Sequence, residues 1–338
     1  RSDITNAVQE TDETNNSGIS DDQIAADAPV LVLGETATGT IAANGGVYYK
    51  VSLTAGDAVR ISVDRTASSG ATELYASFGT IPNRTTYDFA ALEPFETDQS
   101  LLIPVEVSGD YYIFIRSQSS TGTPFTVLAE VVPFSLTTAQ PGVVSNTGAS
   151  TFEVSGARFR EDTSFELVAA DGTTVAADRI TIDSSVRAYV RFDLNGAAAG
   201  SWTLRAINGD TSVDLLAPVT VSETMLPGQI DVTLNGPATV RPDRLNLLQV
   251  DYANTGGTDI GAPLIILSSP TGTPMGLSVG SVSAGELQIL GLDPSGLSEI
   301  LRAGATSSVS VLFRSGTVEQ GVRISARAVT ERDTTLIE

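Results

Sequence analysis

The feature that most constrains the fold of this chain is a succession of short runs in which apolar and polar residues alternate. Along residues 186–194 the even positions carry Val, Ala, Val, Phe and Leu, whereas the odd positions carry Arg, Tyr, Arg and Asp. A period of two residues places the first set on one face of a β-strand, toward a core, and the second set on a solvated face. No stretch has a sustained helical period, and 31 Gly and 15 Pro residues are spread between the runs. The sequence therefore predicts an all-β chain.

The runs form three series, which predict three consecutive β-sandwich domains of jelly-roll or immunoglobulin-like type. A chain of 338 residues, 41% of them apolar, is too long for one ordinary sandwich, and two to four domains are expected. Seven strands are predicted in the first series, which fits one sandwich: 30–33, 47–53, 58–63, 73–78, 101–107, 111–116 and 125–132. The second series has predicted strands near Phe152, Phe165 and Ile180 and at 186–194, 202–207 and 215–221. The third has predicted strands at 230–234, 245–252, 264–267, 309–313 and 322–329.

Pro133 and the segment 223–228 separate the three series. The predicted organisation is an acidic linker or the tail of a preceding domain at 1–28, then sandwiches at 29–132, 133–222 and 223–338. Residues 285–301 are predicted to hold a short strand plus a turn of helix around 295–301. Tight turns that need a positive φ are predicted at Gly56 and Gly109, each of which precedes an Asp. Hairpin or loop turns are predicted at Asn195-Gly196 and Asn208-Gly209.

Composition excludes many kinds of site. The chain contains no Cys and no His, which removes disulfides, thiol nucleophiles, imidazole bases and metal cages built on those ligands. Carboxylate chemistry and oxygen-ligated calcium remain possible, since the chain has 40 acidic residues. Asp57 and Asp110 are candidates for such a carboxylate pair. Both sit in Gly-Asp turns, where Asp is favoured for its local hydrogen bonds, so we interpret them as turn residues and predict no catalytic residues.

The charge of the chain argues against two kinds of partner. Only 19 basic residues oppose the 40 acidic ones, which gives a net charge of -21, whereas nucleic acids and anionic membranes both require a basic face. No run of 18 or more apolar residues occurs, and Arg1 is not followed by a charged and then apolar leader. We therefore expect no nucleic-acid binding and no membrane insertion, and we expect the chain to be cut from a longer protein.

Acidic and amide side chains are concentrated near the start of the chain. Hard oxygen ligands suited to calcium occur at Glu10, Asp12, Glu13, Asn15, Asp21 and Asp22. Their spacing differs from that of an EF-hand loop. Two interpretations remain open, a calcium site that stiffens the junction to the next domain and a solvated acidic linker.

The first series resembles the bacterial pre-peptidase C-terminal domain over about 30–132. The resemblance is carried by Gly39 to Ile61, which includes Tyr48-Tyr49 and Ala55-Gly56-Asp57, and by Gly109-Asp-Tyr-Tyr-Ile-Phe-Ile115. It implies a β-sandwich that is appended to secreted proteases and cell-surface proteins, in some cases as a collagen- or glycan-binding module with calcium at the N-terminal linker. This chain departs from the family pattern at 44–47, where Asn-Gly-Gly-Val stands in place of the loop that often supplies an Asp to the calcium site.

The other series resemble other families. Residues 134–221 are similar to immunoglobulin-like domains of the IPT/TIG type, through Asn146-Thr-Gly148, Phe152 to Phe159 and Gly200-Ser-Trp202. Residues 229–330 resemble immunoglobulin-like domains of bacterial surface proteins, through an Asn-Thr-Gly turn at 254–256. Residues 8–16 are similar to the end of a CARDB-type adhesion domain and also to the linker that opens a pre-peptidase domain. These resemblances imply spacers or binding modules without catalytic residues.

Paired tyrosines on predicted strands are the candidate ligand-binding residues. Tyr48-Tyr49 and Tyr111-Tyr112 each put one ring outward by alternation, and exposed rings stack on sugars or collagen. We select Tyr48 and Tyr111. Packing at a sandwich edge is the alternative role.

Together these observations predict a non-catalytic segment of a large bacterial protein, secreted or at the cell surface, that acts as a stalk or adhesion scaffold. Its partners are then the other domains of the same protein. The alternative is a glycan- or matrix-protein-binding appendage of a secreted hydrolase whose catalytic domain lies outside this chain.

Overall fold

The computed structural model of the chain describes residues 28–65, 70–93, 95–283, 285–295, 297, 299–316 and 321–331. Strands make up 55% of the described residues and helix 1%, which confirms the all-β prediction. The six predicted calcium ligands, Glu10 to Asp22, lie outside the described residues.

The first series contains eight strands in two four-stranded sheets: β1 Thr36–Ile41, β2 Gly46–Leu53, β3 Ala58–Arg65, β4 Thr72–Phe78, β5 Phe89–Ala91, β6 Gln99–Pro104, β7 Gly109–Ser117 and β8 Thr123–Val131. The sheet orders are β2-β7-β4-β5 and β1-β8-β3-β6. Their inner faces meet through buried rings, because Tyr49 on β2 packs edge-on against Phe125 on β8, with ring centroids 6.2 Å apart. Six of the seven predicted strands are present with shifted ends.

The prediction at 30–33 is wrong, since Val30 makes only an isolated bridge to Lys50 and the first strand is β1. The strand β5 was not predicted either, because three residues are too few to display an alternation. The turn prediction at Gly56 is confirmed, with a φ of 87°. Gly109 also has a positive φ, of 149°, but it is the first residue of β7 and not part of a turn. Both values lie in a region that side chains with a Cβ rarely adopt.

The second series contains ten strands: β9 Ser135–Gln140, β10 Val143–Ser145, β11 Ala149–Ala157, β12 Ser164–Ala169, β13 Thr174–Ala176, β14 Arg179–Ser184, β15 Arg187–Asp193, β16 Gly200–Asn208, β17 Thr211–Asp214 and β18 Val219–Ser222. One sheet has the order β14-β15-β11-β9 and the other β10-β18-β16-β12-β13, with β17 paired to β16. Phe152 and Phe192 of the first sheet share a core with Phe165 and Leu204 of the second. A tight turn at Gly209 joins β16 to β17, as predicted.

The alternation along 186–194 has the predicted phase. The side chains at 188, 190, 192 and 194 are fully buried, whereas Arg187 and Asp193 are exposed. Tyr189 is an exception, because it was expected on the solvated face and is only 4% exposed. The guanidinium of Arg302, from the third series, lies 5.0 Å from the centre of its ring and covers it.

The third series contains nine strands: β19 Ile230–Asn235, β20 Leu245–Asn254, β21 Ile260–Gly261, β22 Leu264–Ser268, β23 Met275–Gly276, β24 Glu286–Leu290, β25 Ile300–Leu301, β26 Thr306–Arg314 and β27 Ser325–Val329. The sheets have the orders β19-β20-β26-β23, β24-β22-β27 and β21-β25. Val250 and Val311 share a core with Ile265 and Leu267. A short 3-10 helix occupies Val279–Ser281.

The prediction for 285–301 is half confirmed. The short strand is β24, but a turn at 294–295 and the strand β25 occupy the described part of the segment that was expected to form a helical turn. The buried carboxylate of Asp293 shapes this stretch by accepting hydrogen bonds from the backbone N–H groups of Ser295 and Arg302, at 2.9 Å and 3.0 Å. A helix would have to satisfy those groups differently.

Two compact units divide the described residues. The first consists of residues within Arg1–Ser52, Ile61–Leu101 and Gly109–Ala129, and the second of residues within Leu53–Arg60, Leu102–Ser108 and Glu130–Glu338. The second and third series therefore belong to one compact unit. The predicted domain boundaries stay a prediction.

Candidate functional site

An aromatic ladder crosses one face of the β2-β7-β4-β5 sheet in the first unit. It consists of Tyr48, Phe114, Tyr75 and Tyr87, with successive ring centroids 4.5, 5.9 and 5.0 Å apart. Tyr48 and Phe114 are nearly parallel, at 12°. The inner rings are buried, whereas Tyr48 and Tyr87 are 38% and 39% exposed. Tyr48, Phe114 and Tyr75 stack on one another, whereas the ring of Tyr87 is tilted by 49° against Tyr75. The two exposed end rings are the apolar surfaces that a ligand can reach.

Local sequence determines the position of the ladder. A Cβ at Gly46 would lie 2.3 Å from the Phe114 ring, so that ring occupies the space left by the missing side chain. Tyr48 follows two residues later, on the same face of β2, and its ring stacks on Phe114. The missing side chain at Gly46 thus makes room for the ladder.

A buried carboxylate anchors the face beside the ladder. Glu73 accepts hydrogen bonds from Gln118 Nε2 at 2.6 Å, from Arg84 Nε at 2.9 Å and from the Tyr75 hydroxyl at 3.1 Å. Arg116 lies 3.4 Å away on β7. Burial alone would raise the pKa of Glu73, but the hydrogen bonds from Gln118, Arg84 and Tyr75 outweigh it and hold the pKa below its ordinary range. The network ties the loop that carries Tyr87 to the sheet.

The structure separates the two predicted ligand-binding tyrosines. Tyr48 lies at the exposed end of the ladder, as the prediction requires. Tyr111 is 2% exposed, and its ring packs against Phe78 with centroids 5.3 Å apart. In the Tyr111-Tyr112 pair the second tyrosine, and not the first, is the one that reaches solvent. The expectation of an outward Tyr111 is therefore wrong.

A second polar site lies inside the second unit, where the second and third series meet. Asp259 accepts hydrogen bonds from the Thr151 hydroxyl at 2.6 Å and from the backbone N–H groups of Thr151 and Ala303 at 3.0 and 3.2 Å. The Asp259 backbone N–H in turn donates to the Ala149 carbonyl at 2.9 Å. Burial raises the pKa of Asp259, although these hydrogen bonds oppose the shift.

Arg302 extends the same contact with a buried ion-pair network. Its Nε lies 3.2 Å from the fully buried carboxylate of Asp293, and its Nη2 lies 3.1 Å from Glu153 on β11. Stacking over Tyr189 covers the guanidinium on one side. Asp259 and Arg302 thus hold the two series together at two neighbouring points, and we call this set of contacts the clasp.

Sequence reasoning missed the clasp. Asp259 and Arg302 lie 108 and 149 residues from their partners Thr151 and Glu153, and no local pattern records such a pairing. The one available signal was the Asn-Thr-Gly turn at 254–256, which ends three residues before Asp259. Asn254 fixes this segment, because its side-chain amide donates to the carbonyls of Thr258 and Leu301.

The carboxylates considered as a catalytic pair have local partners. Asp110 accepts a hydrogen bond from Ser52 at 2.6 Å and pairs with Lys50 at 3.5 Å. Asp57 pairs with Arg158 at 3.5 Å. In the part of the chain that the structure describes, no group of three or more acidic side chains is placed to hold a metal ion. No helix among the described residues is long and apolar enough to span a membrane.

Comparison with known proteins gives structural similarity only. No family model and no curated protein matches the chain. A pre-peptidase C-terminal domain of a Bacillus anthracis collagenase is 13% identical over 30% of this chain and 94% of its own, with a TM-score of 0.26. A DUF4785 family protein from Legionella pneumophila is 9% identical over 88% of this chain and 89% of its own, with a TM-score of 0.20. SGBP-B of a Bacteroides ovatus mixed-linkage glucan utilization locus, in complex with a heptasaccharide, is 13% identical over 77% of this chain and 70% of its own, with a TM-score of 0.23. Similarities this low carry no argument about function.

Proposed function

We propose that this chain is a non-catalytic scaffold segment of a bacterial protein that is secreted or displayed at the cell surface, where it holds neighbouring domains in a fixed order as a stalk. The clasp carries the proposal. A stalk transmits orientation only if consecutive sandwiches are fixed to one another, and a flexible tether would not need buried contacts.

The contacts between the second and third series are suited to that role. Besides the clasp, the Ser145 N–H donates to the Gly257 carbonyl at 2.8 Å, and the Ser150 hydroxyl donates to the same carbonyl at 2.9 Å. The Ser145 hydroxyl donates to Met225 at 3.0 Å. Backbone carbonyls accept all three of these bonds, so the course of the backbone supports the contact together with the side chains of the clasp.

Hydrogen exchange along a urea titration tests the proposal. We expect peptides from β11–β15 and from β20–β26 to lose protection at the same urea concentration, since the two series then unfold as one cooperative body. Loss of protection in one series at clearly lower urea, with the other still protected, would contradict a fixed stalk. Peptides from the first unit provide an internal reference.

A second candidate function is ligand binding by the first unit, and the exposed ring of Tyr48 favours it. Planar aromatic surfaces bind sugar rings and peptide side chains by stacking. We expect a glycan array and collagen peptides to identify ligands whose affinity falls about tenfold in Tyr48→Ala. Phe95→Ala is the matched control, because Phe95 is 92% exposed and lies outside the ladder. Equal loss in both variants, or no ligand for the wild type, would refute this function.

Calcium binding at Glu10 to Asp22 stays a prediction about residues outside the described part of the chain. If the site exists, thermal unfolding in millimolar calcium occurs at a higher temperature than unfolding in chelator. An identical midpoint in both conditions would leave these acids as a linker.

A further inference from the structure

A cavity of about 590 Å³ lies within the second unit, next to the clasp. This volume is in the range of about 300–1,000 Å³ that is usual for small-ligand sites. Residues of the second series form one wall, including Arg179, Thr181 and Arg191, and residues of the third series form the other, including Asp259, Ile300 and Glu331. The clasp residues Thr151, Tyr189 and Asp259 border this cavity, whereas Arg179, Arg191 and Glu331 take no part in the clasp.

Two arginines stand side by side in this cavity. Arg179 on β14 is directly opposite Arg191 on β15, and Arg191 is directly opposite Thr151 on β11. Like charges opposite one another on adjacent strands are unfavourable unless something compensates them. Paired guanidiniums are also the arrangement that binds a carboxylate through several charge-assisted hydrogen bonds.

The ion pairs of these two arginines leave guanidinium N–H donors available to a ligand. Arg179 pairs with Glu299 at 3.0 Å and Arg191 with Asp178 at 2.9 Å, each through Nη1. The side chains of Arg179 and Glu299 are 61% and 71% exposed, and an ion pair in water is weak. A ligand carboxylate can therefore replace Glu299 at little cost.

The remaining groups in the cavity suit hydroxyls and not further anions. The carboxylates of Asp259 and Glu331 repel a second negative charge and accept hydrogen bonds from hydroxyl groups, and Thr181 offers an exposed hydroxyl. Ile300 and Leu297 add apolar surface. One carboxylate with several hydroxyls on a compact ring meets these requirements.

From this arrangement we propose that the cavity binds a hexuronic acid, free or as the end of an acidic glycan. The ligand carboxylate lies between Arg179 and Arg191, and its ring hydroxyls lie toward Glu331, Asp259 and Thr181. The inference goes beyond the scaffold role and does not depend on it.

Isothermal titration of the whole chain with glucuronate and galacturonate tests the proposal, with glucose and acetate as comparison ligands. We expect at least one uronate to bind in the millimolar range or tighter, and both comparison ligands to bind at least about tenfold more weakly. Affinity equal to that of acetate would overturn the role of the hydroxyls. Affinity equal to that of glucose would overturn the role of the arginines.

Variants locate the binding. Arg179→Gln and Arg191→Gln are each expected to weaken uronate binding about tenfold while the folded chain unfolds at nearly the wild-type temperature. Arg187→Gln is the control, because Arg187 lies on the same strand and pairs with Asp183, at 2.6 Å, outside the cavity. No binding of either uronate, or binding that Arg187→Gln reduces as much, would overturn the site. Neither result bears on the hydrogen-exchange test of the scaffold.

Discussion

Replacing Arg302 by Ala is expected to destabilise the second unit by about 4 kcal/mol. Removing one partner of a buried ion pair typically costs about 3–5 kcal/mol, because the other charge stays buried. Asp293 keeps its hydrogen bonds from Ser295 and from the backbone N–H at position 302, so we take the lower end, about 3 kcal/mol. The half-buried contact to Glu153 and the stacking on Tyr189 add about 1 kcal/mol.

Thermal and urea unfolding measure this change. For a unit of this size, a loss of about 4 kcal/mol lowers the unfolding midpoint by roughly 8–16 °C. Arg160→Ala is the matched control, since the ion pair of Arg160 with Asp162 at 3.1 Å is mostly exposed, and its loss is expected to change stability by less than about 1 kcal/mol.

A double variant separates charge from packing. Arg302→Met with Asp293→Asn removes both charges and keeps most of the volume, so much of the lost stability is expected to return. If Arg302→Ala is no less stable than Arg160→Ala, the buried ion pair does not hold the two series together and the reasoning fails.

The remaining predictions concern three positions. Gly46→Ala places a Cβ 2.3 Å from the Phe114 ring and is expected to destabilise the first unit by about 1–3 kcal/mol in urea unfolding. Gly142→Ala is the control and should have little effect, because no atom lies within 4 Å of its new Cβ. Because burial raises the pKa of Asp259, its contribution to the free energy of unfolding is present at acid pH and is lost as pH rises through that pKa. The free energy of unfolding of Asp259→Asn, measured across pH, should lack this loss. Identical pH profiles for the variant and the wild type would contradict the raised pKa. The pKa of Glu73 is lowered, so Glu73→Gln should be less stable than wild type by about 2 kcal/mol at neutral pH. This difference in stability should shrink as pH falls below the ordinary Glu range, because the wild-type carboxylate is then protonated. A difference that persists at acid pH would contradict the role of the charged carboxylate.

Periodicity predicted the sandwiches because burial on one face of a strand leaves a mark on neighbouring residues. The run at 186–194 was assigned correctly for that reason. Three-residue strands such as β5 and β13 contain too little sequence for a period to be visible. Tyr111 and Tyr112 illustrate a second limit, since the pair alone does not fix the phase of the strand, and a shift of one residue exchanges the inner and outer faces.

The clasp and the cavity bring together residues of the second and third series that are more than 100 positions apart, such as Thr151 and Asp259. The Asn-Thr-Gly turn at 254–256 is the one local signal near them. In the sequence, nothing distinguishes Arg302 and Asp293 from surface charges. Only the fold brings them together, with the Arg302 guanidinium over the Tyr189 ring. The aromatic ladder could be predicted in part. Its tyrosines could be found from the sequence, but the role of Gly46 in admitting Phe114 required the structure.

The most direct test of the scaffold is a distance measurement within the second unit. The sequence contains no Cys, so a spin label can be attached to one introduced Cys in each series. Asp210→Cys in the second series and Gln288→Cys in the third suit this purpose, because both positions are exposed. We predict that double electron–electron resonance gives one narrow distribution of distances between the two labels. This distribution is expected to broaden when Arg302→Ala is added. A broad or multiple distribution in the otherwise wild-type chain would contradict the claim that the clasp fixes the two sandwiches.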